Sequence, residues 1–125
     1  MDRTSVLVVD DQAAFRSVAR DVLTRAGFDV VGEAEDGVAA LAAATRFNPS
    51  VVVLDVKLPG QSGFEVARRL AVLPQPPAVV LVSTADEADY GRRIRASGAI
   101  GFITKSCLSG DTLRTVLEGR KEELE

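Results

Sequence analysis

Four short apolar runs in this chain end in residues that could do chemistry. Val6–Val9 leads into Asp10 and Asp11, Val51–Leu54 into Asp55, Val79–Val82 into Ser83 and Thr84, and Ile100–Thr104 into Lys105. Three carboxylates within a few ångströms would repel and raise one another's pKa unless a cation joined them. A hard, oxygen-liganded divalent ion is the natural partner, and Mg²⁺ suits few carboxylates and several waters. A carboxylate beside Mg²⁺ is a competent nucleophile towards phosphorus, because phosphoryl transfer depends on in-line positioning and charge neutralisation. Lys105 and the ion would neutralise the transferred oxygens, and a hydroxyl from Ser83 or Thr84 would donate to one of them. The set describes an aspartate that accepts a phosphoryl group. A plainer reading is available for single residues: an Asp after a strand is usually a turn former or helix N-cap, and Asp10 or Asp11 could be only that. Asp55 precedes a loop, so a cap explains it poorly.

Composition narrows the chemistry further. Histidine is absent from the 125 residues, which removes Ser/His/Asp and Cys/His catalysis, the common zinc sets and any imidazole proton shuttle. A net charge of -3 gives the domain no reason to contact nucleic acid. The one cysteine, Cys107, cannot form an internal disulfide and suits a reducing compartment. No apolar run approaches the roughly 18 residues of a membrane span, and Asp2 and Arg3 directly after Met1 do not read as a signal peptide. The expectation is a cytoplasmic protein of one domain.

The elements that must carry these residues alternate. Apolar strands are expected at Ser5–Val9, Asp29–Ala34, Val51–Leu54, Val79–Val82 and Ile100–Thr104. Phe15, Val18, Ala19, Val22, Leu23 and Ala26 recur at helical spacing, with Gly27 as a stop. Asp36 should cap a second helix presenting Val38, Leu41, Ala42 and Thr45 on one face and ending before Pro49. Residues 55–63 read as a loop. A third helix carries Phe64, Ala67, Leu70 and Ala71. Asp86–Ser97 reads as a weakly amphipathic fourth helix with Gly91 inside it and Arg92, Arg93 and Arg95 as a solvated cluster. Ser109 should cap the last helix, lined by Leu113, Val116, Leu117 and Leu124. Five β-α units predict an α/β fold, a doubly wound five-stranded parallel sheet in the flavodoxin-like order 2-1-3-4-5 with helices on both faces. Ligands then gather beyond the carboxyl ends of the first and third strands, where the acids stand.

In this order and spacing, Val6–Asp11, Asp36-Gly37, Val51–Gly60, Leu81–Ala85, and Gly98-Ala99 leading to Phe102 and Lys105 resemble the receiver domain of bacterial two-component response regulators. The resemblance covers residues 4–120 and leaves 121–125 as a charged tail or the start of a linker. It implies that Asp55 is the phosphoacceptor. It also implies that Asp11 and Asp55 bind Mg²⁺ directly, Asp10 through water, and Lys57 by its backbone carbonyl. Lys105 would pair with the phosphoryl group. Ser83 would be the switch hydroxyl, since it lies fifteen residues before Gly98, with Thr84 as the alternative. Phe102 would be the aromatic switch position or a plain core residue. One departure is Ser106, where many receivers have proline after the lysine.

The resemblance further implies a sensor histidine kinase as phosphoryl donor, a possible homodimer, and an output domain or target protein reached through the fourth helix and fifth strand. Val31–Ala34 and Gly98–Phe102 are similar to receivers of transcription factors with a helix-turn-helix output. Such a domain is no enzyme beyond its own phosphorylation and dephosphorylation. Three other readings stand beside it: a phosphorylation-independent receiver-like interaction module, a stand-alone regulator without DNA-binding output, and a small Mg²⁺-dependent phosphatase for which no substrate pocket is evident.

Overall fold

Strands without polar residues on either side can be buried only between two layers, and that is where the chain puts them. The computed structural model describes the backbone of residues 3–124 and the side chains of residues 3–119. Its main sheet consists of β1 (Ser5–Val9), β2 (Asp29–Ala34), β3 (Val51–Asp55), β4 (Ala78–Ser83) and β5 (Gly101–Thr104). All neighbours run parallel, in the order β2-β1-β3-β4-β5. The expected fold class and strand order are the ones observed.

The strands divide their side chains between two cores. Val6, Val8, Val51, Val53, Val80, Val82 and Ile103 face α1 (Ala13–Arg25) and α5 (Gly110–Leu124). Leu7, Val9, Val52, Leu54, Val79, Leu81 and Phe102 face α2 (Gly37–Phe47), α3 (Gly63–Ala71) and α4 (Arg93–Ala96). Helix ends follow the expected chemistry. The Asp36 carboxylate accepts from the Ala39 amide at 2.8 Å. Ser109 Oγ accepts from the Thr112 amide at 3.1 Å, while Thr112 Oγ1 accepts from the Ser109 amide at 2.9 Å. Gly27 adopts φ +99° directly beyond α1.

Five expectations need correction. The face that α2 buries is Gly37, Ala40 and Ala44, whereas Val38 is 76% exposed. The helical period was right but the stripe was rotated: small residues let the helix approach the sheet closely, and the larger Val38 is left outside. On α1, Val18 is likewise exposed while Ala19 and Leu23 are buried. On α3, Val66 is buried and Ala71 exposed.

The largest correction concerns Asp86–Ser97. The segment is one 3-10 turn, Glu87–Asp89, and one α-helical turn, Arg93–Ala96. Asp86 and Asp89 cap the first turn reciprocally, and Gly91 at φ +53° turns the backbone out of the helical path. Only Ile94 of the α4 turn is buried, too little apolar surface to hold a longer helix on the sheet. Residues 55–63 are also more ordered than a loop. Lys57–Leu58 pairs antiparallel with Gln61–Ser62, turning at Gly60. At the other end of the chain, α5 continues to Leu124, and the expected tail at 121–125 lies outside the described side chains.

Candidate functional site

β1 and β3 are adjacent, so their carboxyl ends bring Asp10 and Asp55 side by side, and β5 adds Lys105 two strands away. One oxygen from each of Asp10, Asp11 and Asp55 lies within 4.8 Å of the others. Lys105 Nζ stands 2.5 Å from Asp10 Oδ2 and 3.2 Å from Asp55 Oδ2. The other oxygens of Asp10 and Asp55 are held by the backbone. Asp10 Oδ1 accepts from the Gln12 amide at 2.8 Å, and Asp55 Oδ1 accepts from the Lys57 amide at 3.1 Å. The N-cap position of α1 is Gln12, so neither Asp10 nor Asp11 is accounted for as a helix cap.

Burial decides the electrostatics. Asp10 and Asp55 are buried and Asp11 is exposed. Desolvation pushes the Asp55 carboxyl above the usual carboxylate range. The Lys57 amide and the Lys105 ammonium oppose that rise and the Asp10 charge adds to it. Burial also works against the charge of Lys105, yet the Asp10 and Asp55 carboxylates outweigh it and hold the lysine pKa above its ordinary value.

Asp10 Oδ2 is the test of whether a metal ion suits this place. It is fully buried and has no hydrogen-bond partner; its ion pair with Lys105 is close but lies outside hydrogen-bond geometry. A buried, unsatisfied carboxylate oxygen beside two further carboxylates is a donor set made for a hard cation. Asp10, Asp11 and Asp55 therefore fit Mg²⁺ by chemistry.

The structure brings Asp10, Asp11, Asp55 and Lys105 together. Among the described residues no hydrogen bond joins Ser83, Thr84 or Phe102 to that cluster. Ser83 continues the alternation of Leu81, on the opposite face from Val82, and is only 2% exposed. Its hydroxyl pairs with Tyr90 Oη at 2.8 Å and accepts from the Ala85 amide at 3.1 Å. Thr84 is exposed. Phe102 is buried, with its ring centroid 5.7 Å from that of Tyr90.

Several supporting residues escaped sequence reasoning. Phe15 lies under Lys105, with the ammonium 4.5 Å from its ring centroid. Arg16 donates to the Asp10 carbonyl at 2.5 Å and pairs with Glu33 at 3.1 Å, tying the β1–α1 turn to β2. Gly63 permits the return of the chain beside β3: a Cβ there would overlap the carbonyl oxygen of Asp55. Phe15 did stand out as an apolar position of α1, but nothing in its spacing marks it as a lysine platform.

A family model described as the response regulator receiver domain matches residues 6–118. The chain belongs to that family. This receiver is similar in structure to the signal receiver domain of NarL from Mycobacterium tuberculosis, at TM-score 0.85 and 33% identity, covering 97% of this chain and 98% of that one. It is also similar to the response regulator domain of CheB from Thermotoga maritima, at TM-score 0.76 and 30% identity, over 97% and 93% of the two chains. In sequence it is 39% identical over 123 residues to a protein-glutamate methylesterase/protein-glutamine glutaminase of Halobacterium salinarum, covering 97% of this chain and 34% of that protein. With the virulence transcription regulator BvgA of Bordetella pertussis it shares 36% identity over 100 residues, 80% of this chain and 48% of BvgA. The receiver thus spans between a third and a half of these curated relatives. No helix among the described residues is long and apolar enough to cross a membrane.

Proposed function

We propose that this receiver is a phosphorylation-controlled switch of a two-component system, working in the cytoplasm, and that Asp55 is its phosphoacceptor. The observation that carries the reading is the ammonium of Lys105 lodged between Asp55 Oδ2 and Asp10 Oδ2, a buried oxygen with no hydrogen-bond partner. Three carboxylates faced by one lysine leave the cluster short of positive charge, and so poised for a further cation that would help receive a transferred anion.

In this reading a sensor histidine kinase presents a phosphohistidine. An Asp55 carboxylate oxygen attacks phosphorus, the O–P bond forms, the N–P bond breaks, and the imidazole leaves with the electron pair. Water later hydrolyses the acyl phosphate. Asp11, Asp55 and the Lys57 carbonyl would hold a Mg²⁺ ion directly and Asp10 through water, and the ion would supply neutralisation of the phosphoryl oxygens and alignment of the donor. The Lys57 amide orients Asp55 through Oδ1. Lys105, carried on the Phe15 ring, exchanges its carboxylate partners for phosphoryl oxygen. Ser83, with Thr84 as the alternative hydroxyl, turns to the phosphoryl group, and Phe102 carries the change to the α4–β5 face.

The domain in this reading is residues 4–120 with a short charged segment after it. Its output is control of transcription, or another target, through a partner protein or further domain, with a receiver homodimer as one arrangement. The chain catalyses only its own phosphorylation and dephosphorylation. Incubation with acetyl phosphate and Mg²⁺ is expected to add one phosphoryl mass to the wild type and none to Asp55→Asn. Equal labelling of both proteins would overturn the assignment.

A further inference from the structure

The hydroxyl that a receiver would turn towards its phosphoryl group is already occupied in this chain. Tyr90 Oη lies 2.8 Å from Ser83 Oγ, and the Ala85 amide donates to the same oxygen at 3.1 Å. A serine hydroxyl has one proton and two acceptor sites. With Tyr90 and the Ala85 amide both satisfied on the Leu81 side of the sheet, Ser83 makes no hydrogen bond to Asp55 or Lys105 among the described residues.

The Tyr90 ring is itself held between two others. Its ring meets Phe64 edge-on at 5.5 Å and 65°, and Phe102 at 5.7 Å and 50°. The Arg93 guanidinium then stacks on Phe64 at 4.3 Å. Phe102 therefore cannot change its packing without disturbing Tyr90. The backbone is built to let Tyr90 leave: it closes the one-turn 3-10 helix, and Gly91 follows at φ +53° with open space around its α-carbon.

We propose that Tyr90 is a positioning residue of the switch, a latch that holds the Ser83 hydroxyl on the α3–α4 face until phosphorylation withdraws it. Breaking the Ser83–Tyr90 bond frees the phenol from its place between Phe64 and Phe102. The change is thereby delivered to the Arg93–Phe64 stack on α3 and α4 as well as to β5. This inference rests on the reading of Asp55 as phosphoacceptor.

The chain carries its own probe, because Tyr90 is its single tyrosine and it has no tryptophan. Near-ultraviolet circular dichroism and tyrosine fluorescence of the whole chain therefore report this one phenol. With acetyl phosphate and Mg²⁺, the Tyr90 signal is expected to change in step with the mass gain. Ser83→Ala should shift the signal with no phosphodonor present. Tyr90→Phe keeps the ring and removes only the latch, so it should accept the phosphoryl group faster, by about five-fold if one ordinary hydrogen bond is lost. A merely structural tyrosine would slow the reaction or leave it unchanged when replaced. A full mass gain with an unaltered Tyr90 signal, or a Tyr90→Phe protein no faster than wild type, overturns the latch. No mass gain in the wild type overturns the phosphoacceptor reading instead, and the latch with it.

Discussion

The two halves of the sheet are built to different standards. Between β1 and β3 the connections are helices of 13 and 11 residues, β1 beyond Ser5 and all of β3 are buried, and Asp10 and Asp55 stand on adjacent strand ends. Between β4 and β5 the connection holds one 3-10 turn and a four-residue helix, with Gly91 interrupting them. The carboxylates thus sit where the backbone has the least freedom, and Ser83, Tyr90 and Phe102 sit where the covering layer is thinnest. Phosphoryl chemistry needs groups held to a fraction of an ångström, whereas a switch needs an element with a low cost of rearrangement. In the proposed function one sheet would supply both, because its covering helices differ.

Truncation on either side tests that contrast most strongly. Leu54→Ala, in the fully buried middle strand, is expected to cost about 2–5 kcal/mol in urea unfolding. Ile94→Ala should cost less than half as much, since a single helical turn can relax into the space. Equal losses would mean that the two halves are equally rigid.

Removing the lysine gives the next largest effect. Lys105→Met leaves Asp10 and Asp55 facing each other without their cation, and thermal melting in metal-free buffer should show a loss of roughly 2–3 kcal/mol. The loss falls short of a fully buried broken pair because Asp55, whose pKa burial already raises, can take up a proton. Millimolar Mg²⁺ is expected to restore most of it. A variant that Mg²⁺ does not rescue would show that the acids are not a cation site.

The acid limb offers the smallest effect. Hydrogen bonding from Arg20, with Arg16 assisting, holds the Glu33 carboxyl below the ordinary glutamate value of 4.5, although partial burial opposes it. A depressed carboxylate stabilises the fold above its unfolded pKa, and that contribution disappears as pH falls through the folded one. Glu33→Gln should therefore lose about 0.5–1 kcal/mol at neutral pH and differ less from wild type in strong acid. An undiminished difference in acid would mean that Glu33 stabilises by packing rather than by charge.

The better-built half was also the more legible one in sequence. Val51–Leu54 can hardly be anything but a buried strand, and Asp55 follows from it by adjacency. Asp36 and Ser109 carry the capping side chains that local chemistry demands. Legibility fails where packing partners decide. Val38 and Ala40 both fit a helical stripe, and only the close approach to the sheet selects the smaller. Asp86–Ser97 has helical composition, but its fate turns on the φ of Gly91 and on how little apolar surface it offers. The Tyr90–Ser83 bond is invisible in sequence because it depends on that broken helix. Seven residues separate the pair, a spacing that an unbroken helix after β4 would not close in this way.

Gly63 has a consequence of another kind. A Cβ there would overlap the carbonyl oxygen of Asp55, so no larger residue fits without moving Asp55. A survey of tolerated substitutions along the chain would score this position as severely as the acids themselves, although it carries no functional group. Part of the apparent chemical fingerprint of such a domain is therefore a steric shadow cast by the residue it protects.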